Sequence, residues 1–259
     1  MDAASGGRMK VRINLSLADY VRIGNANTEG LLAGHHALMP LVNDYYDFFA
    51  TKLWSDGQPI REVPMFLSTN AFMIWTSGVR MALSGHETAI YPLFRTALES
   101  ACYALLISLD PALESIWSDR DKGDVERKAS RKAFGGAVAD VVKHLEAEQS
   151  GLGDFISSLY ETSIDYGAHP NTLAIRNHVQ IGPKTTEQKR FDQGSIYPGD
   201  SFQVFRALTS AAEYGRGIAL VLIHCLPGMT PTVVEPLRAL QLEFARIMEM
   251  ETPDAEKQD

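Results

Sequence analysis

The chain has 259 residues, of which 45% are hydrophobic and 22% are charged. This composition excludes a largely disordered or fibrous chain, and the length allows roughly one to two domains, of which we favour one. The formal net charge of −8 argues against a general nucleic-acid coat, because phosphate-binding domains usually carry a basic stripe.

Cysteine content and the absence of targeting signals favour a cytoplasmic protein. The two cysteines, Cys102 and Cys225, both lie in apolar stretches, so they form neither a secreted disulfide framework nor a thiolate zinc site. The first ten residues lack the apolar core of a signal peptide. The apolar run over residues 218–226 is far shorter than the ~20 residues that span a bilayer.

The N-terminal half is predicted to begin with an arm over residues 1–24 and to continue as helices. The arm is predicted to be a short strand or an extended segment, because apolar and polar residues alternate at Val11, Ile13, Leu15 and Leu17. Apolar residues at helical spacing predict one long helix over 31–53. Helices over 63–83 and 88–109 follow, and their short link makes them antiparallel neighbours.

The C-terminal half is predicted to be more polar and more interrupted. Residues 112–149 form a helical region with breaks at Gly123 and at residues 135–136, and a further helix covers 154–166. Two apolar clusters separated by Gly182 and Pro183 predict a β-hairpin or an irregular excursion over 172–199. A long helix begins at Asp200 or Ser201 and ends near Leu226, and a last one covers 237–250.

These elements together predict an all-α bundle of about six to eight helices with a small β-hairpin excursion. The bundle domain covers residues 25–250, and an acidic tail covers 251–259. The second, third and penultimate long helices are expected to form its centre. No helix is expected to cross a membrane.

The most informative feature is a pair of charges on an otherwise apolar helix. Between residues 88 and 109, only Arg95 and Glu99 are charged, and apolar side chains surround nearly the whole helix. A helix that is apolar on all sides is normally buried on all sides. Because burying either ion alone would cost several kcal/mol, the two side chains should pair with each other or with polar partners elsewhere.

Further polar groups that could meet this pair lie on the preceding helix and in a later turn. We predict that six residues converge on an internal polar cleft, which would bind a small polar or anionic ligand. The alternative is a structural ion-pair network that fixes the helix register. The six predicted ligand-binding residues are Arg80, Arg95, Glu99, Tyr166, His169 and Asn171.

Sequence motifs exclude several enzyme classes. The chain has no phosphate-binding G-x-x-x-x-G-K-[ST], no G-x-G-x-x-G, no H-E-x-x-H, no G-x-S-x-G and no Glu-x-x-His. His35 and His36 are adjacent on a predicted helix, so they point about 100° apart and do not form one metal-binding face. We therefore expect no metal and no cofactor.

Two segments carry a resemblance to a known group of proteins. Residues 89–99 read AIYPLFRTALE, and residues 166–171 read YGAHPN. They resemble a poorly characterised group of bacterial all-helical proteins, which carry an L-x-R-x-x-x-E helix and a later H-P-[NS] turn. The resemblance covers about residues 60–230. It implies a helical bundle and brings no established activity.

Some members of that group have been linked to the helical nucleotide-binding superfamily named for higher eukaryotes and prokaryotes. Its ribonucleases use an arginine and a histidine separated by about four to six residues, a spacing that Arg80 and His86 share. Met81 departs from this motif, because the residue after the arginine is typically polar. The resemblance implies that Arg80 binds phosphate and that His86 is the general base or acid.

Three functional hypotheses follow. The first is a cytoplasmic binding or interaction module without catalytic activity of its own, which holds a small ligand or a partner segment. The second is a metal-independent ribonuclease or related defence protein. The third is a structural helical protein that forms a homodimer through an amphipathic aromatic face, although core packing explains the same residues. The residues of that face are Tyr45, Tyr46, Phe48, Phe49 and Trp54.

Overall fold

The computed structural model describes residues 15–34, 36–54, 60–181, 191–226 and 231–251. Helices dominate these residues, which confirms the predicted all-α class. The helices are α1 (Leu17–Ala33), α2 (Leu38–Asp47), α3 (Glu62–Leu83), α4 (Glu87–Leu109), α5 (Leu113–Ser118), α6 (Asp124–Phe134), α7 (Ala137–Glu148), α8 (Leu152–Ser163), α9 (Thr172–Arg176), α10 (Phe202–Ile223) and α11 (Pro231–Glu251). Two π-helical segments, Phe48–Leu53 and Ile164–Ala168, extend α2 and α8.

The N-terminal region differs from the prediction in two ways. Helix α1 begins at Leu17, where the Ser16 side chain accepts from the Asp19 amide, so the arm predicted through residue 24 includes a helix. The single helix predicted over 31–53 is wrong. The chain leaves helical geometry at Gly34, which adopts an extended conformation, and α2 starts afresh at Leu38. Val11 and Ile13 lie outside the described residues.

Helices α3 and α4 form the predicted antiparallel pair, joined by a tight turn. Gly85 in this turn has φ of +81°, a left-handed conformation that residues with a side chain rarely adopt. Its carbonyl accepts a hydrogen bond from the Tyr197 amide at 3.0 Å. A Cβ on Gly85 would collide with the Tyr197 carbonyl oxygen. The turn between α3 and α4 therefore also anchors the chain that leads into α10.

The polar region after α4 contains three short helices. The breaks predicted at Gly123 and at residues 135–136 are confirmed, since they separate α5, α6 and α7. Gly123 is extended, with φ of −177° and ψ of −178°, and caps the start of α6. These breaks, together with the one at Gly34, give more helices than the six to eight that we predicted.

The segment between α8 and α10 is the least regular part of the described chain. Helix α9 occupies the start of the region where we predicted a hairpin. The Asn171 side chain stabilises the first turn of this helix by accepting from the Ala174 amide at 2.8 Å. Strands β1 (Val179–Ile181) and β2 (Phe191–Gln193) then pair antiparallel over three residues each. Residues 182–190 lie outside the described residues, so the hairpin over 172–199 as a whole stays a prediction.

The centre of the bundle is formed by α3, α4 and α10, as predicted. The indole N–H of the fully buried Trp75 on α3 donates to the Ala211 carbonyl of α10 at 2.9 Å. Three residues further along α10, the ring of Tyr214 stacks on the ring of Phe94 on α4, with the ring centroids 5.0 Å apart. Gly78 lets α3 approach α4 closely, because a Cβ there would lie 2.3 Å from the Phe94 ring.

Cys102 and Cys225 are both buried and unpaired, as expected from their apolar surroundings. Over the described ranges, the structure contains no helix that is both long and apolar enough to cross a membrane.

Candidate functional site

A line of four polar side chains runs along α4 and faces the irregular segment before α10. Its members are spaced by four residues, which places them on one face of the helix. We call this line, formed by Glu87, Tyr91, Arg95 and Glu99, the α4 polar stripe. Helix α4 is not buried on all sides as expected, since Thr88, Pro92 and Thr96 are exposed, and the stripe gives it a continuous polar face beside them.

Arg95 lies at the centre of a cluster at the outer end of the stripe. Its Nε donates to Glu99 Oε1 at 2.9 Å, its Nη2 donates to the Tyr160 hydroxyl at 2.7 Å, and its Nη1 lies 2.8 Å from His169 Nε2. The guanidinium carbon also lies 4.8 Å from the centroid of the Tyr160 ring. Three elements, α4, α8 and the turn that follows α8, therefore meet at one cation. We call these four residues the Arg95 cluster.

The Arg95 cluster lies at the surface rather than in the internal cleft that we predicted. The side chains of Arg95 and Glu99 are 20% and 35% exposed, and His169 is exposed. Burial opposes the charge of Arg95, but the hydrogen bond and negative charge of Glu99 outweigh it and raise the pKa of Arg95. The cluster is thus a charged group that solvent reaches from one side.

The hydrogen bond to Arg95 fixes the tautomer of His169. A guanidinium can only donate, so Nε2 of His169 must be the acceptor. In the neutral imidazole the proton is then on Nδ1. His169 therefore offers an N–H donor on the side of the ring opposite Arg95.

Asn171 supports this turn and does not contact Arg95. Its Nδ2 donates to the Ile164 carbonyl at 2.7 Å, and its Oδ1 caps α9. These two bonds close the turn that carries His169. Asn171, which we predicted to bind ligand, thus has a role in positioning His169.

Tyr166 belongs to a second cluster at the inner end of the stripe. Its ring packs 5.6 Å from Tyr91, and the guanidinium of Arg206 on α10 lies 5.7 Å from its centroid. Nε of Arg206 donates to Oε1 of Glu87, whose side chain is 0% exposed. Oε2 of Glu87 has no hydrogen-bond partner within the described part of the chain.

Glu87 and Arg206 were missed by our reasoning from sequence. Arg95 was selected because it is one of very few charged residues on an apolar helix. The same criterion applies to α10, where only Arg206, Glu213 and Arg216 are charged among 22 residues. Glu87 had no such signal, because an acidic residue in the first turn of a helix is common and is usually exposed.

His178 and Tyr197, from the irregular segment, form a further polar pair. Nδ1 of His178 is hydrogen-bonded to the Tyr197 hydroxyl at 2.7 Å. Burial lowers the pKa of His178, while the negative charge of Glu87 acts in the opposite direction. Burial raises the pKa of Tyr197, and the negative charge of Glu87 acts in the same direction.

Arg80 does not join the predicted site. Its guanidinium donates to Asn25 Oδ1 at 2.8 Å and to the Thr28 hydroxyl, both on α1. The register of the antiparallel pair α3 and α4 explains why Arg80 and Arg95 do not meet. Asn70 lies opposite Ser100 and Gly78 lies opposite Phe94, so Arg95 faces a part of α3 that precedes Arg80. Arg80 is therefore nearer to the turn than Arg95 is, on a face that α1 covers.

The aromatic residues proposed as a dimer face are mostly in the core. Tyr45 and Phe49 are fully buried and Phe48 is 2% exposed, so core packing accounts for these three. Tyr46 is 43% exposed and packs against Phe72. Homodimerisation stays a prediction without this face as its support.

Comparisons with protein-family models, curated proteins and solved structures found no match to this chain. Among the residues that the structure describes, no three His, Cys, Asp or Glu side chains are grouped so that they could hold a metal ion. The function must therefore be argued from the geometry of the polar clusters themselves.

Proposed function

We propose that the chain is a helical binding protein, without catalytic activity of its own, that holds a small anionic ligand at the Arg95 cluster. One observation carries the proposal. The guanidinium of Arg95 is held in place by Glu99, Tyr160 and His169, and the Arg95 side chain is still 20% exposed. A cation that is fixed before binding loses little conformational entropy when a ligand arrives.

The donors that remain on Arg95 suit an anionic oxygen. A guanidinium has five N–H groups. Three of them make the hydrogen bonds within the cluster, which leaves two for a ligand. His169 holds the guanidinium in place by accepting from Nη1, while its own Nδ1–H points away from Arg95. A carboxylate or phosphate oxygen accepts from the two remaining donors, and charge-assisted hydrogen bonds of this kind are strong.

A cytoplasmic location and the relation to the bacterial all-helical group are parts of the same proposal. The two unpaired, buried cysteines fit a reducing compartment. The resemblance adds no activity that would favour catalysis over binding.

A thermal-shift experiment with simple anions tests the proposal. Inorganic phosphate and citrate are added at constant ionic strength, with sodium chloride as the reference. We expect at least one of them to raise the melting temperature of the wild-type protein in a saturable way. Arg95→Gln and His169→Ala should abolish this rise, whereas Arg246→Gln, at an exposed ion pair with Glu243, should retain it. Equal stabilisation of all four proteins would overturn the proposal.

A second candidate function is metal-independent RNA cleavage at Arg80 and His86. The observation in its favour is electrostatic, since the positive charge of Arg80 adds to burial in lowering the pKa of His86. However, Arg80 is bound by α1, and Nδ1 of His86 is hydrogen-bonded to Ser84 at 2.7 Å. Cleavage of RNA in the presence of a chelator, lost in His86→Ala, would establish this function. Cleavage that is unchanged in that variant would eliminate the assigned role.

A further inference from the structure

The guanidinium of Arg206 on α10 has one edge that is open to solvent. Its Nε donates to the fully buried Glu87, whereas Nη1 and Nη2 donate to no described residue. Neither terminal nitrogen is among the buried atoms of the described chain that lack a partner, and the side chain is 28% exposed. Both terminal nitrogens are therefore accessible to solvent, on an edge of the guanidinium that Glu87 does not occupy.

Two aromatic rings pack against this guanidinium. Phe202, which begins α10, and Tyr166 each have a ring centroid 5.7 Å from the guanidinium carbon of Arg206. A cation within about 6 Å of a ring centroid is attracted to the face of the ring. Tyr166 is supported in turn by Tyr91, whose ring centroid lies 5.6 Å away. The buried carboxylate and the two rings together fix the position of the terminal nitrogens of Arg206.

Phe202 leaves an apolar ring open to solvent next to this cation. It is 68% exposed although its ring contacts Arg206. The two residues are four apart on α10, so they lie on one face of the helix. An exposed phenylalanine alone is ordinary, but ligand sites combine an aromatic surface with a few fixed polar groups. Phe202 and Arg206 supply both at one place on the surface.

We propose that Phe202, Arg206 and Tyr166 form a second binding site, independent of the Arg95 cluster, for a small aromatic carboxylate. The carboxylate accepts two parallel hydrogen bonds from Nη1 and Nη2 of Arg206. The aromatic ring of the ligand lies against the exposed ring of Phe202. Tyr166 and Glu87 hold the guanidinium in place and do not contact the ligand carboxylate.

The charge balance favours a carboxylate attached to a ring over a plain anion. Burial opposes the charge of Arg206, but the hydrogen bond and negative charge of Glu87 outweigh it and raise the pKa of Arg206, so the side chain stays a cation. Because Glu87 also balances that charge, the attraction for an added anion at longer range is small. Binding therefore depends on two directed hydrogen bonds, which a planar carboxylate accepts in parallel, and on contact with the Phe202 ring.

An NMR titration with benzoate tests the proposal. Benzoate is added to the full chain at constant ionic strength, and the backbone amide signals of residues 202–206 are followed. We expect a saturable shift with a dissociation constant of about 1 mM or below, an affinity within reach of a ligand of this size. Benzamide, which lacks the carboxylate, and acetate, which lacks the ring, should each bind at least about tenfold more weakly. The absence of a saturable shift with benzoate, or equal binding of benzamide or acetate, would overturn the proposal.

The variant Phe202→Ala tests the ring contact without disturbing the core, because the Phe202 side chain is mostly exposed. It should weaken benzoate binding about tenfold, since the ligand ring loses its aromatic partner. The matched control is Phe66→Ala, at a phenylalanine on α3 that is 56% exposed, and it should bind benzoate as the wild-type protein does. Equal binding of benzoate by these two variants would contradict a site at Phe202.

The variants Arg206→Lys and Arg95→Gln locate the carboxylate. A lysine keeps a cation beside Glu87 but lacks the planar pair of donors, so Arg206→Lys should lose most of the benzoate binding. Arg95→Gln should retain it, because the two sites share no residue. Retention of binding in Arg206→Lys, or its loss in Arg95→Gln, would show that benzoate binds elsewhere and would overturn the proposal.

Discussion

Arg95 and His169 are 74 residues apart in the chain, and their side chains lie 2.8 Å apart at the surface of the bundle. This one contact joins the turn after α8 to the middle of α4. Because Glu99 and Tyr160 hold the same guanidinium, the turn that carries His169 has a defined position. The same geometry supports ligand binding and stabilises the fold, so the two roles require separate measurements.

The structural role predicts a measurable loss of stability in Arg95→Gln. The variant loses the hydrogen bonds that tie Glu99, Tyr160 and His169 together, so we expect the free energy of unfolding to fall by about 1–3 kcal/mol. Arg246→Gln removes an arginine from an exposed ion pair and should change the free energy of unfolding by no more than about 0.5 kcal/mol. Urea denaturation measures both. Equal effects of the two variants would show that the Arg95 cluster contributes nothing beyond an exposed pair.

Glu87→Gln should destabilise the protein more than a comparable change at a more exposed ion pair. Glu87 is completely buried and faces Arg206, so the substitution leaves a poorly solvated cation without its counter-charge, at a cost of about 2 kcal/mol. The control is Glu114→Gln, because Glu114 and its partner Arg61 are 34% and 38% exposed. It should cost less than about 1 kcal/mol. A smaller loss for Glu87→Gln than for Glu114→Gln in urea denaturation would contradict this account.

The partly buried His86 and the buried His178 predict how stability depends on pH. Burial lowers the pKa values of His86 and His178 below 6.5, so the unfolded chain binds more protons than the folded chain below that pH. Their contribution to stability is therefore complete above pH 6.5 and declines as the pH falls. Urea denaturation at pH 7.5 and 5.5 measures the loss.

The variants His86→Gln and His178→Gln isolate this effect from the carboxylates that titrate in the same range. Each should lose less stability between pH 7.5 and 5.5 than the wild-type protein does. An unchanged or larger loss in both would mean that other groups dominate the pH dependence.

Two glycines on helices should respond in opposite directions to substitution by alanine. A Cβ on Gly78 would lie 2.3 Å from the Phe94 ring, so Gly78→Ala should force α3 and α4 apart and cost about 1–3 kcal/mol. Gly30 on α1 has no heavy atom within 4 Å of the position of such a Cβ. Gly30→Ala should therefore stabilise the protein by about 0.5–1 kcal/mol. Thermal unfolding of both variants checks the close approach of α3 and α4.

Much of the helical framework could be predicted from residue spacing. The limits of α3 and α4 follow from apolar periodicity and from the turn around Gly85, and Ser201 caps α10 as its position indicated. The break after α1 was missed because apolar residues keep their helical spacing across Gly34. Spacing reports which face of a segment is buried and does not show whether the backbone is continuous.

The candidate site was only partly predictable for a different reason. Arg95 and Glu99 are four residues apart on one helix, so their contact follows from local geometry alone. The contact with His169 depends on how α8 and its turn pack on α4, which was inferred only from the concentration of polar groups in that turn. Glu87 and Arg206 meet across 119 residues, and no local pattern marks that pair.

The most direct test of the binding proposal is an NMR titration that follows the imidazole nitrogens of His169. With phosphate or citrate added at constant ionic strength, the account predicts a proton on Nδ1 of the free protein. It also predicts a saturable shift of the His169 signals, which Arg95→Gln abolishes and Arg246→Gln retains. A His169 signal that does not move with either anion, or that moves equally in Arg95→Gln, would contradict the claim that the Arg95 cluster is a ligand-binding site.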